Sequence, residues 1–186
     1  SDGMAPAVTD SSATITSLSI NDPTVLSGSA AAQAVDDNAA LSPFQSFSFT
    51  DVDPGQTFTV RIVLSAPSNG VFISPAGPTD SGFSITAPGV YTFTGTAAAA
   101  TAAIRLLSFA PTPNADAPDQ TRTTTFAVSA DDGTAVATDS ETSVVATSVN
   151  DAPVIDGASA QPAINDTDST TPFADVTFTD PDLNAV

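Results

Sequence analysis

Two aspartates stand two residues apart in "FTDVDPG", Asp51 and Asp53, where a strand-like run gives way to a Pro-Gly turn. On extended backbone, side chains two apart leave the same side, so both carboxylates are free to converge on one ion. "SADDGT" offers Asp131 and Asp132 at another strand end, and "SINDP" offers Asn21 and Asp22. Hard oxygen donors of this kind suit Ca²⁺, which takes six to eight oxygens from Asp, Asn and backbone carbonyls. The competing reading makes each Asp a solvated turn residue. That reading serves Asp80 in "PTDSG" and Asp119 in "APDQ".

Catalysis is harder to assemble. The chain has no His, Lys or Cys, so a Ser or Thr nucleophile finds no neighbouring base. The adjacent pairs Asp36-Asp37 and Asp131-Asp132 sit in turn-like text, and no Trp and a single Tyr are present to platform a sugar. The expectation is a protein that is not an enzyme.

Composition narrows the partners. Twenty-one acids, twenty of them Asp, face three arginines (Arg61, Arg105, Arg122) in 186 residues, for a net charge of -18. Nucleic acid and anionic membrane surfaces need the opposite sign. Asp rather than Glu places the acids in turns and caps. Such self-repulsion destabilises a compact state unless counterions or bound divalent ions relieve it. A high-salt habitat would also screen it. Cysteine is absent, which removes disulfides and thiolate metal sites. No apolar run is long enough to span a bilayer. The opening "SDGMAPAVTD" shows neither a basic nor an apolar signal region.

The elements that must position these acids follow from a repeat. At an offset of 129 residues Asn21-Asp22 falls on Asn150-Asp151, Gly28 on Gly157 and Asp37 on Asp166. Pro43-Phe44 falls on Pro172-Phe173 and "FTDVD" on "FTDPD", which brings in Asp180 and Asp182. The chain therefore reads as a window on a tandem array. Residues 1–18 are the last strands of one repeat, 19–147 a complete repeat, and 148–186 the opening strands of the next. Strands are expected over 13–20, 44–49, 57–65, 90–95, 123–130 and 142–149, separated by Gly/Pro turns. The alanine-rich 96–107 is expected to be a short helix capped by Thr96. This pattern predicts an all-β, two-sheet sandwich with one short α-helix crossover. Its expected core is Phe47, Phe49, Phe58, Val60, Ile62, Phe93, Leu106, Phe109, Phe126 and Val128.

"VVATSVNDAPVIDG", "FTDPD", "GVYTFTGTAAAATAAIRLLSFAPT" and "FAVSADDG" together resemble the cadherin-like or bacterial Ig-like tandem repeats of giant type I-secreted, RTX-type surface adhesins. The resemblance covers the full period and both partial repeats. It implies a Greek-key Ig-like or cadherin-like β-sandwich with Ca²⁺ bound between neighbours. By position it makes Asn21 and Asp22 linker ligands, Asp51 and Asp53 the paired motif, and Asp131 or Asp132 the late ligand. Asn150, Asp151, Asp180 and Asp182 form the same set at the next junction. Asp37 and Asp166 stand in for an early glutamate. Two features depart from the pattern: Ser19 and Ser148 replace an acid before the Asn, and no "DRE"-like motif occurs.

The function expected is that of a structural extender in an exported bacterial surface protein, stiffened by Ca²⁺ at its junctions. Neighbouring repeats are the expected partners, with like chains on the cell surface as a further possibility. The alternatives are a calcium-dependent carbohydrate or cell-surface binding module, and a self-assembling extracellular filament or sheath.

Overall fold

Alternating apolar residues and tight turns govern the architecture. The computed structural model describes residue 3 and residues 10–18, 20–53, 55–73, 81–160 and 163–183. Ser19 and Asp80 lie outside the described residues. In chain order the elements are β1 (Val25–Ser27), β2 (Gln33–Asp36), β3 (Ser48–Thr50), β4 (Phe58–Leu64), β5 (Gly70–Ile73), β6 (Ser84–Ala87) and β7 (Val90–Gly95). They continue with α1 (Ala97–Arg105), β8 (Ser108–Pro111), β9 (Thr121–Asp131), β10 (Val136–Asp139), β11 (Ser143–Thr147), β12 (Val154–Asp156) and β13 (Thr177–Thr179). The protein is all-β with one short α-helix.

The main sheet has the order β2-β11-β9-β4-β7-β6, with β10 pairing the far half of β9. All its pairings are antiparallel except β2 with β11, which run parallel. Strict alternation along β4 buries Phe58, Val60, Ile62 and Leu64. β9 does the same with Phe126, Val128 and Ala130, and the register sets Ile62 opposite Val128. β1 pairs β3, and β5 pairs β8, as two smaller antiparallel ladders. These send Phe49, Phe72 and Phe109 into the same core. The layers face one another in a sandwich-like arrangement, and period-two alternation is what lets each strand bury one side only.

α1 carries the chain from β7 in the main sheet to β8 in the smaller ladder. Thr96 Oγ1 accepts the Ala99 N–H at 3.4 Å, and Ala100, Ala103 and Ile104 face the core. The helix closes two residues early, at Arg105, and Leu106 lies half out in solvent while Leu107 is buried. This corrects the expectation of Leu106 as a core residue. Phe93 is only partly buried and pairs with Phe83. The strand expected over 13–20 does not form among its described residues, and Ile15 and Leu18 are exposed. A lone extended segment has no ladder to join, and isolated strands do not hold themselves.

The β12–β13 hairpin is a second casting of β1–β3. Val154 pairs Thr179 as Val25 pairs Thr50, in the same antiparallel register. The Phe47 N–H donates to Phe44 O, and the Val176 N–H to Phe173 O. Gly28 and Gly157 both take positive φ, 85° and 78°. A Cβ at Gly28 would fall inside the van der Waals radius of Ser46 O, and one at Gly157 inside that of Asp175 O. Gly55 also has positive φ but open space around its Cα. Gly55→Ala should therefore show only conformational strain, whereas Gly28→Ala adds a backbone collision. We expect a loss of roughly 1 kcal/mol for the first and at least 2–3 kcal/mol for the second. Urea midpoints for the two variants give the comparison, and equal losses would refute the close-approach reading.

Candidate metal centre

The first acid group forms where three elements run out at one pole. β3 ends at Thr50 and releases Asp51 and Asp53, β9 ends at Asp131, and Asn21-Asp22 lead into β1. Because Val25 sits opposite Thr50, Thr24 comes level with Asp51, and its hydroxyl donates to Asp51 Oδ2 at 2.9 Å. Asp51 Oδ1 accepts the Asp53 N–H at 2.9 Å, and Asp53 Oδ2 accepts the Asp22 N–H at 2.8 Å. Asn21 Nδ2 donates to Asp132 Oδ2 at 3.1 Å, while Gln56 Nε2 donates to Asn21 Oδ1 at 2.6 Å. Asp132 Oδ1 accepts the N–H groups of Thr134 and Ala135, both at 2.7 Å. The bond from Ala135, then those from Asn21 and Thr134, hold the Asp132 carboxyl below the usual carboxylate range. Five of the expected residues are thus linked in one polar network: Asn21, Asp22, Asp51, Asp53 and Asp132.

Asp131 stands apart. Strand alternation turns it to the outer face of β9, where its Oδ1 accepts the Gly133 N–H at 2.8 Å. Of the two acids in "SADDGT", Asp132 belongs to the junction and Asp131 to the turn.

The second group repeats the first. Asp182 Oδ2 accepts the Asp151 N–H and Asp180 Oδ1 accepts the Asp182 N–H, each at 3.0 Å. Asn150 Nδ2 donates to Asp151 O at 2.9 Å, as Asn21 Nδ2 does to Asp22 O at 3.2 Å. The Thr24 and Gln56 partners are not repeated, since Pro153 stands at the position of Thr24 and Ala185 at that of Gln56, and the position matching Asp132 is not within the 186 residues.

Asp37 lies elsewhere. It follows the last residue of β2 at the opposite pole, with only 6% of its surface exposed. Its Oδ2 accepts the Asn114 N–H at 2.9 Å and lies 3.0 Å from the Ser148 hydroxyl, and Oδ1 accepts the Val149 N–H at 3.2 Å. Burial alone would raise its carboxyl, but these donated bonds outweigh burial and hold it below the ordinary range. Asp37 is therefore an anchor for the segment just before Asn150 rather than a member of the first group. Its counterpart Asp166 is exposed in a turn.

Ser148 explains one departure from the resembled pattern. It is buried against the Asp37 carboxylate. An acid there would set two buried negative charges side by side. The loop that supplies Asn114 is held by Arg122, whose Nε and Nη2 each donate to Asp116 at 2.7 Å. Thr24, Gln56 and Asn114 escaped sequence reasoning because each acts through a partner at least 27 residues away, and Ser148 was legible only as a missing acid, its partner Asp37 lying 111 residues off. Only Gln56, in the "DPGQ" turn beside Asp53, carried a local signal.

Among the described residues, no three acidic side chains are already gathered as a metal cage. In both groups the carboxylates are turned onto backbone N–H groups instead, and in the first also onto the Thr24 hydroxyl and the Asn21 amide. The donor chemistry nevertheless fits a hard cation. Four described side chains bear a buried polar atom without a partner, and two of these, Gln56 Oε1 and Asp182 Oδ1, belong to the two acid groups. Asn114 Oδ1, on the residue whose N–H meets Asp37, is a third. All three are acceptor oxygens, and a buried acceptor left unpaired is costly. No family model matches the chain, and neither a curated protein nor a solved structure matches it.

Proposed function

We propose that the chain is an extender segment of an exported bacterial surface protein, built of Greek-key, Ig-like or cadherin-like sandwich repeats. In this reading residues 19–147 are one repeat, and residues 148–186 open the next. One observation carries it: the same Asn-Asp to Asp-x-Asp bonding recurs at two junctions that lie at opposite ends of β9. Asn21 bonds Asp132, just past the last residue of β9, whereas Ser148 follows Thr147, which pairs with Thr121 at its first. An 11-residue strand spans about 35 Å, so the chain enters and leaves the repeat at opposite poles. End-to-end repeats of that kind make a rod.

Ca²⁺ is the ion this donor set suits. Asn21, Asp22, Asp51, Asp53, Asp132 and Gln56 would hold it at one junction, and Asn150, Asp151, Asp180 and Asp182 at the other. The ion would supply positive charge to a strongly acidic chain and tie linker to strand ends. Short linkers carrying Pro23 or Pro153 already restrict the backbone there.

Calorimetric titration of the 186-residue chain with CaCl₂ tests the reading. We expect uptake at or below millimolar Ca²⁺ and a rise of about 5–10 °C in the unfolding midpoint at a hundredfold excess over Kd. The double variant Asp51→Asn, Asp53→Asn should lose the site at the first junction. Small-angle scattering should show a longer, more uniform particle in Ca²⁺ than in EDTA. No heat at millimolar Ca²⁺, with an unchanged midpoint, would remove calcium from the proposal.

A further inference from the structure

The β12–β13 hairpin shows to solvent the face that its twin buries. Ile155, Ile164, Phe173 and Phe178 are 61%, 49%, 78% and 74% exposed. At the matching positions Phe44 and Phe49 are 0% and 3% exposed, and Leu26 and Val35 pack on the core. What covers the twin is visible. The Phe44 ring meets Phe72 and Phe126 at 5.8 and 5.4 Å between centroids, and Phe49 meets Phe58 at 5.7 Å. α1 lies across β3, where the Thr101 hydroxyl accepts the Phe49 N–H at 2.9 Å and Arg105 Nε donates to Phe47 O at 2.8 Å. Residues 21–53 are thus a lid, and residues 58–147 the body it closes.

The hairpin of the second lid is shaped before any body covers it, whereas described residues 163–165, which match part of β2, form no strand. Its register, its glycine at positive φ and its turn bond all match those of the first, as described above. We infer that the exposed face of β12–β13 is a docking surface for a second body of the kind residues 58–147 build, delivered at the same distance along the chain. This rests on the tandem-repeat reading and is independent of calcium. The occupant is defined by its chemistry: a phenylalanine-lined sheet pair, with a helix offering a hydroxyl and a guanidinium four residues apart to the backbone of Phe178 and Val176. Two hairpins packed face to face would cover the rings but bring neither of those groups. Copies of a chain with net charge -18 also repel one another.

The experiment appends residues 58–149 of this sequence directly after Val186, so that the added segment falls in the same frame as the first body. Hydrogen exchange is then followed in EDTA, which excludes any contribution from calcium. We expect amides 177–179 to exchange on the order of a hundredfold more slowly than in the 186-residue chain. Phe178→Asp in the extended chain should abolish that protection and leave amides 48–50 unchanged. A control chain replaces 150–182 by residues 21–53. If the control protects its second body while the native hairpin does not, the docking inference is wrong. It is equally wrong if the 186-residue chain is already a dimer with amides 177–179 protected. If protection appears but no Ca²⁺ is taken up, docking stands and the calcium proposal falls.

Discussion

Phe126→Ala should lower the stability of the fold by about 3–5 kcal/mol, the largest loss expected from any single truncation here. Phe126 is fully buried on β9, and its ring lies 5.4, 5.1 and 5.2 Å from those of Phe44, Phe72 and Phe109. Those three come from the lid, from β5 and from β8, so one ring ties the main sheet to the other layer. Aromatic pairs at such separations add to the burial of their area. Removing the ring leaves a cavity whose walls belong to separate ladders, which limits collapse into it. Against a total stability of 5–15 kcal/mol for an ordinary domain, the variant would stand near its folding threshold. Urea denaturation measures this, with Ile85→Ala on the exposed edge strand β6 as the reference, where under 0.5 kcal/mol is expected. A loss for Phe126→Ala below about 1.5 kcal/mol would mean that the layers are not joined through this ring.

Asp37→Ala should cost about 3 kcal/mol at neutral pH, because it strands the part-buried N–H groups of Asn114 and Val149, while the Ser148 hydroxyl keeps the Asp116 carbonyl as an acceptor. Asp37→Asn keeps one acceptor oxygen and should lose roughly half as much. The pH dependence separates this from simple loss of packing. The folded carboxyl titrates below its unfolded value, so its contribution is complete above that value and fades as pH falls through the folded one. The gap between wild type and Asp37→Ala should therefore be full at pH 7 and shrink below about pH 4. Urea midpoints across pH 2.5–7 provide the test. A gap that stayed constant over that range would show that the charge is not what the site uses.

Sequence reasoning reached furthest where a signal is local or repeated. β7 falls on the expected 90–95, β4 and β9 differ from expectation by a residue or two at each end, and the capped helix sits within 96–107. The Asn-Asp and Asp-x-Asp groups were legible because the sequence states them twice. What could not be read depends on distant partners. β2, β5, β8 and β10, each four residues long, exist only through the strands beside them. Phe72 and Tyr91 become core because their ladders face each other, the Phe72 N–H donating to Tyr91 Oη at 3.1 Å. Asp37 looked like a junction ligand from its place in the repeat. Its real neighbours, 77 to 112 residues on, become visible only once β2 lies beside β11.

For the extender proposed above, that parallel contact would also decide how a repeat bears a load. Tension applied through the two linkers draws β2 backward and β11 forward along one shared line, past four registered residue pairs. The ladder is then loaded in shear, with its hydrogen bonds resisting together, rather than peeled open one after another. The Asp37 grip on Val149 adds a further link at the trailing end. In that proposed role, strand direction alone would suit the repeat to being stretched.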